Sequence, residues 1–103
     1  MLHLLLVGSR PEVIAQTCAA LAPRAHCHPA TTLAEAQAVI AAQPLDAVVM
    51  GAGSPMAERL AIAEAALTAH KGCAVHLKDK ASGPARFTAW VDGLIAFHEA
   101  AGG

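Results

Sequence analysis

Two short loops carry the residue types that could meet an anion. Val7-Gly8-Ser9-Arg10-Pro11 and Gly51-Ala52-Gly53-Ser54-Pro55 each set Gly and Ser ahead of a Pro that can open a helix. Backbone N–H groups at such a turn favour negative charge, and Arg10 would add a formal positive charge. Further on, Lys78 and Lys80 flank Asp79 in a polar run that reaches Gly83. That run could contact a ligand or a partner, although most such runs are solvated connections. Ordinary helix capping also produces the Gly-Ser-Pro order without any ligand. Neither loop is a Walker loop, because no Gly-Lys-Ser/Thr follows, and no G-x-G-x-x-G follows the first apolar run. The candidate ligand-binding residues are Gly8, Ser9, Arg10, Gly51, Gly53, Ser54, Lys78 and Lys80. A small phosphate-bearing or otherwise anionic ligand fits them, and no cofactor is implied.

A second constellation is imidazole. His26 and His28 bracket Cys27, and on a strand the two rings would share one side. Two His on one face can begin a zinc or copper site, with His3 as the third ligand. Polar side chains pointing outward from an edge strand explain the same pattern without metal, and two spaced His fall short of the usual three or four ligands. His76 sits in an apolar run, where a half-buried ring bonded to backbone is the common outcome, and His70 and His98 lie at or near inner helical stripes. No local spacing supports Cys–His or Ser–His–Asp catalysis, so no catalytic residue is assigned. Cys18, Cys27 and Cys73 are odd in number and form no C-x-x-C, and they read as reduced small hydrophobes.

The elements that must position these residues alternate regularly. Apolar runs at 2–8, about 25–29, 45–51 and 73–78 read as strands. Between and after them, helical patterns cover 9–22, 31–43, 55–70 and 84–100. Ser9 and Ser54 are the expected caps of the first and third helices, and Thr31 or Thr32 of the second. Inner stripes are expected at Val13, Ile14, Thr17, Cys18 and Leu21; at Leu33, Ala36, Gln37 and Ile40; at Met56, Leu60, Ala63 and Leu67; and at Phe87, Val91, Leu94 and Ile95 with Trp90 at the margin. Pro23, Pro44 and Gly72 close the first three helices. Gly102 and Gly103 form a tail.

Strand–helix alternation predicts a three-layer α/β/α sandwich with a four-stranded parallel sheet in order 2-1-3-4 and four helices. With 103 residues it suits one domain, 1–103. In open sheets of this kind ligands meet the carboxyl ends of the strands, where the Gly-Ser loops and Lys78–Lys80 fall. The chain is 55% hydrophobic but 3% aromatic, so its hydropathy comes largely from Ala, Val, Leu and Ile. No apolar run approaches the roughly 18 residues needed to span a bilayer. The start lacks the features of an export signal, so the cytoplasm is the expected compartment. A net charge of −1 gives no long-range attraction to nucleic acid or to an anionic membrane.

Residues 31–56, TTLAEAQAVIAAQPLDAVVMGAGSPM, resemble the middle of a response-regulator receiver, a flavodoxin-like domain. Pro44 and Asp46 match the strand entry, and Val48, Val49 and Met50 match the strand. Gly51 then falls where the family's phosphorylated Asp belongs. The resemblance is loose over about residues 2–78 and implies a shortened, degenerate receiver. Val7-Gly8-Ser9-Arg10 stands where a receiver carries two acidic residues for Mg²⁺, Lys78 near the family's Ser/Thr, and the fifth strand is missing. Without a carboxylate nucleophile or a metal to offset phosphoryl charge, aspartyl phosphorylation is not expected.

Two functional expectations follow. The first is a non-catalytic, receiver-like interaction domain in signalling, working through a homodimer or a protein partner. Ile62, Trp90 and Phe97 are its candidate interface residues, because Ile62, Ala65, Ala66 and Ala69 would form a second apolar face on helix 55–70. The second is a small-anion-binding protein or enzyme built on the carboxyl-end loops. A cavity between those loops favours the second, and a closed, Ala-filled top favours the first.

Overall fold

The computed structural model describes residues 1–80 and 86–101. The elements in chain order are β1 (Leu2–Val7), α1 (Pro11–Leu21), β2 (Ala25–Ala30), α2 (Leu33–Ala42), β3 (Ala47–Met50), α3 (Met56–Ala69), β4 (Ala74–Leu77) and α4 (Phe87–Ala101). The first residues of the expected last helix (84–85), the end of the polar run (81–83) and the Gly102–Gly103 tail lie outside the described residues.

The strands form one parallel sheet in the expected order, β2-β1-β3-β4. β1 and β3 are central and buried on both faces, which is why they are apolar without alternation. Leu5 and Val7 point into one core with Val48 and Met50. Leu4 and Leu6 point into the other with Ala47 and Val49. α2 and α3 cover the first core through Ala36, Ile40, Ile62 and Ala66. α1 and α4 cover the second through Ile14, Leu21, Phe87, Val91 and Ile95. β2 is an edge strand, which suits Pro29, a residue that cannot donate to a ladder.

α2 begins as its sequence predicts. Thr32 accepts a hydrogen bond from the Glu35 amide at 3.1 Å, and Glu35 accepts from the amide and hydroxyl of Thr31 at 2.7 and 2.9 Å. This is a capping box displaced by one residue. Those bonds hold the Glu35 carboxyl below its ordinary value. The other two expected caps are corrected: Arg10 precedes α1 and Pro55 precedes α3, and neither start has a side-chain cap bond. Ser9 and Ser54 lie one step outside. Gly72 does adopt a left-handed φ of 82° after α3.

The phase of α3 is also corrected. Arg59, Ile62 and Ala66 face the sheet, at spacings of three and four. Ile62, an expected interface residue, is 1% exposed and belongs to the core, whereas Leu60 is 55% exposed. Met56 and Leu67, also expected inside, are more than half exposed. The stripe that the sheet selects is narrower and smaller in volume, and it includes a cation. In α2, Gln37 is exposed and Val39 takes the half-buried place. Trp90 is half-buried beside Phe87, with ring centroids 6.0 Å apart, and Phe97 stays 62% exposed. No helix among the described residues is long and apolar enough to cross a membrane.

Candidate functional site

Three strand ends and the start of α4 enclose a cavity of about 320 Å³. The loop after β1 contributes Gly8, Ser9 and Arg10, and the loop after β3 contributes Gly51, Ala52 and Gly53. Val13 and Ile14 from the first turn of α1 and Phe87 from α4 make the apolar part of the wall. Lys78, Asp79 and Lys80, leaving β4, complete it. The cavity therefore gathers seven of the eight expected ligand-binding residues. Ser54 is not part of the lining.

Small residues make this closeness possible. A Cβ on Gly8 would stand 2.7 Å from Ile14 Cδ1, so glycine lets the Ile14 side chain close against the strand end without shifting. A Cβ on Gly53 would overlap the Ser9 hydroxyl and stand 3.2 Å from Ser9 Cβ. The two Gly-Ser loops thus touch each other. Gly51 is less constrained: a Cβ there would meet Phe87 Cε1 at 3.7 Å, an ordinary contact.

The backbone donors are arranged differently from the expectation. The amides of Gly8, Gly51 and Lys78 donate to the carbonyls of Ala30, Val7 and Met50 at 3.2, 2.8 and 2.9 Å. Each extends a sheet ladder by one step, so these N–H groups are spent on the fold. The side chains of Ser9, Arg10 and Lys80 also line the cavity, together with Lys78, whose Nζ donates to the Asp79 carbonyl at 3.4 Å. Among the described residues, three cations against Asp79 leave the lining net positive.

Lys78 is only 5% exposed, and its position depends on a residue that sequence reasoning missed. Arg59, also 5% exposed, donates from Nη2 to the Lys78 carbonyl at 3.1 Å. Its buried Nε has no acceptor among the described residues. Arg59 thus ties the exit of β4 to α3. The signal was its spacing from Ile62 and Ala66, but a charge in that stripe reads naturally as solvent-facing.

The imidazoles do come together. His3, His26 and His28 lie on the same face of β1 and β2, with the His3 ring centroid 4.5 Å from that of His26 and 5.6 Å from that of His28. His3 Nδ1 and His28 Nε2 are 3.3 Å apart in rings only 7° from parallel. That is the head-to-head geometry of an N–H···N bond, whereas a tetrahedral metal needs lone pairs converging at a wide angle. No group of three or more His, Cys, Asp or Glu among the described residues is arranged to hold a metal. Burial, with the charges of His3 and His26, lowers the affinity of His28 for a proton. His76, expected to bond to backbone, instead meets His98 with the two Nε2 atoms 3.0 Å apart, and burial and His98 lower its pKa. His70 bonds to the Ile40 carbonyl at 2.8 Å.

Among the described residues, the cavity lining contains neither imidazole nor thiol. The lining combines the cationic Arg10, Lys78 and Lys80 with the apolar Val13, Ile14 and Phe87. Compared with models of protein families, with curated proteins and with solved structures, the chain matches none.

Proposed function

We propose that this chain binds a small anionic molecule with an apolar body in the crevice at the carboxyl ends of its strands. The supporting observation is the cavity itself, which brings Arg10, Lys78 and Lys80 around an apolar wall of Val13, Ile14 and Phe87. Carboxyl-end crevices are where open parallel sheets bind ligands. The receiver resemblance fits this reading as a shared scaffold: Gly51 stands where that family's phosphorylated Asp belongs and Gly8-Ser9-Arg10 where its acidic pair would hold Mg²⁺, so the crevice favours an anion over Mg²⁺. A cytoplasmic setting is part of the proposal.

Phenyl phosphate, which pairs an anion with a ring, tests the reading against inorganic phosphate. Titration of the ¹⁵N-labelled chain is expected to shift the amides of Ser9, Arg10, Ala52 and Gly53, with phenyl phosphate binding more tightly. Arg10→Gln is expected to weaken it roughly ten- to a hundredfold, the worth of one charge-assisted bond at ~1.5–3 kcal/mol. Shifts confined to residues outside the crevice would sink the proposal.

A second reading rests on a separate observation. Met56, Leu60 and Leu67 leave α3 with three large apolar side chains more than half exposed. Self-association or a protein partner on that helix keeps the interaction-domain expectation alive, with Ile62 replaced by these residues. Light scattering of the chain and of Leu60→Lys tests it: a monomer in both cases removes self-association from consideration.

A further inference from the structure

The crevice does not use Cys18 and Cys27, which are nine positions apart in different elements. α1 ends at Leu21, residues 22–24 reverse the chain, and β2 starts at Ala25. The Arg24 amide donates back to the Leu21 carbonyl at 2.9 Å and keeps that reversal tight. Cys18 therefore lies three helical residues from the turn, about 4.5 Å along α1. Cys27 lies two strand residues from it, about 6.6 Å along β2. The two are at similar heights on facing elements.

They also point into the same layer. Cys18 follows Ile14 by four and precedes Leu21 by three on the buried stripe of α1, and Cys27 shares a strand face with Ala25. Both pack against the core cluster beneath α1 and α4. The two thiols are thus neighbours across the helix–strand interface, each altering the other's proton affinity. Both side chains are half-buried free thiols, so a small reagent can reach them. Cys73 is buried in the cluster on the opposite face of the sheet and serves as an internal control.

We infer that Cys18 and Cys27 form an oxidation site, a dithiol that exchanges with a low-molecular-weight disulfide and closes to an internal bridge between α1 and β2. The thiols divide the work. Their mutual influence pushes the Cys18 thiol up and brings Cys27 below its ordinary value in spite of burial, so Cys27 supplies the thiolate. Cys27 attacks one sulfur of the small disulfide, whose S–S bond breaks and releases one small thiolate. Cys18 then loses its proton to solvent and attacks the Cys27 sulfur, displacing the second small thiolate. Two protein thiols are oxidised, and one external disulfide is reduced to two small thiols. A bridge needs Cα atoms about 4.4–6.8 Å apart, so closure clamps α1 onto β2.

The test is exposure of the full native chain to oxidised glutathione, followed by intact mass, thiol counting and a non-reducing tryptic map. Trypsin cuts after Arg24 and Arg59, which places Cys18 and Cys27 on separate peptides, and Cys73 lies beyond Lys71 on a third. The expected result is a loss of two hydrogens and two of the three thiols, with the first two peptides joined until reduction. Cys73→Ser is expected to leave this unchanged. Cys18→Ser is expected to trap a mixed disulfide at Cys27, and Cys27→Ser to lose the internal bridge. Three thiols surviving, glutathione adducts without an internal bridge in the unsubstituted chain, or a link to Cys73 or to another chain would overturn the assignment. The map of the unsubstituted chain decides this even if a serine variant folds poorly.

Discussion

α2 and α3 lie side by side on one face of the sheet, yet they are held there by different means. α2 enters through a reciprocal bond set among Thr31, Thr32 and Glu35 and buries Ala36 and Ile40. α3 has no side-chain cap and buries Ile62 and Ala66 together with a guanidinium, while Met56, Leu60 and Leu67 stand in solvent. One helix is fastened at its start. The other depends on its middle, where Ile62 packs and Arg59 grips the β4 exit. A large apolar residue therefore does not identify the inner face of α3.

The largest effect that could break this comparison is Ile62→Ala. It should cost about 2–5 kcal/mol in urea unfolding, the range for truncating a fully buried aliphatic side chain. Leu60→Ala, two positions away, should stay within about 0.5 kcal/mol. Equal losses would mean that α3 sits in the other phase. Arg59→Ala comes next, at about 1–3 kcal/mol, because it strips the buried Lys78 carbonyl of its donor. It should also displace the Lys78 amide resonance, which an effect confined to the helix would leave in place. Thr32→Ala should cost about 1 kcal/mol, a normal N-cap loss. The same substitution at Ser54, two residues before the α3 start, should cost clearly less, since Ser54 provides no cap bond.

Acid should lower stability in two separate pH windows, only the lower of which touches the α2 start. His28 and His76 have lowered proton affinity in the folded chain, chiefly through burial. The unfolded chain then binds more protons once pH falls to about 6.5, so stability is complete above that point and declines as pH drops through the lowered values. The charged neighbours work in the same sense: His3 and His26 on β1 and β2 repel a proton on His28, and His98 on α4 repels one on His76. Glu35 follows at lower pH. Its carboxyl is held below the ordinary value, so its contribution is present above about pH 4.5 and disappears as pH falls through the depressed value. Urea midpoints measured from pH 7.5 to 3 should decline in two stages, and His28→Gln with His76→Gln should flatten the first stage alone.

These contrasts also explain what could be read in advance. Strand order and layering were legible because β1 and β3 are apolar on both faces and the helical patterns between strands are separated by Pro and Gly. The crevice was legible because strand carboxyl ends converge by topology, whatever the side chains do. The phase of α3 was not, since Ala at most positions leaves several stripes nearly equal and only the sheet decides between them. The role of the glycine amides was misjudged for a related reason. A Gly-Ser turn looks the same on paper whether its N–H groups face a ligand or continue a ladder, as those of Gly8 and Gly51 do. Thiol and imidazole pairings such as His76 with His98 depend on long-range placement that no local spacing encodes.

Arg59 and Leu60 are neighbours in sequence, and on a helix neighbours point about 100° apart. α3 is therefore geared. To turn its leucines away from water it would have to rotate by more than a quarter of a circle, and the guanidinium would leave the Lys78 carbonyl as it did so. The wall of the crevice is pinned from the far layer of the protein, so the helix cannot hide its greasy side without releasing its hold on the pocket.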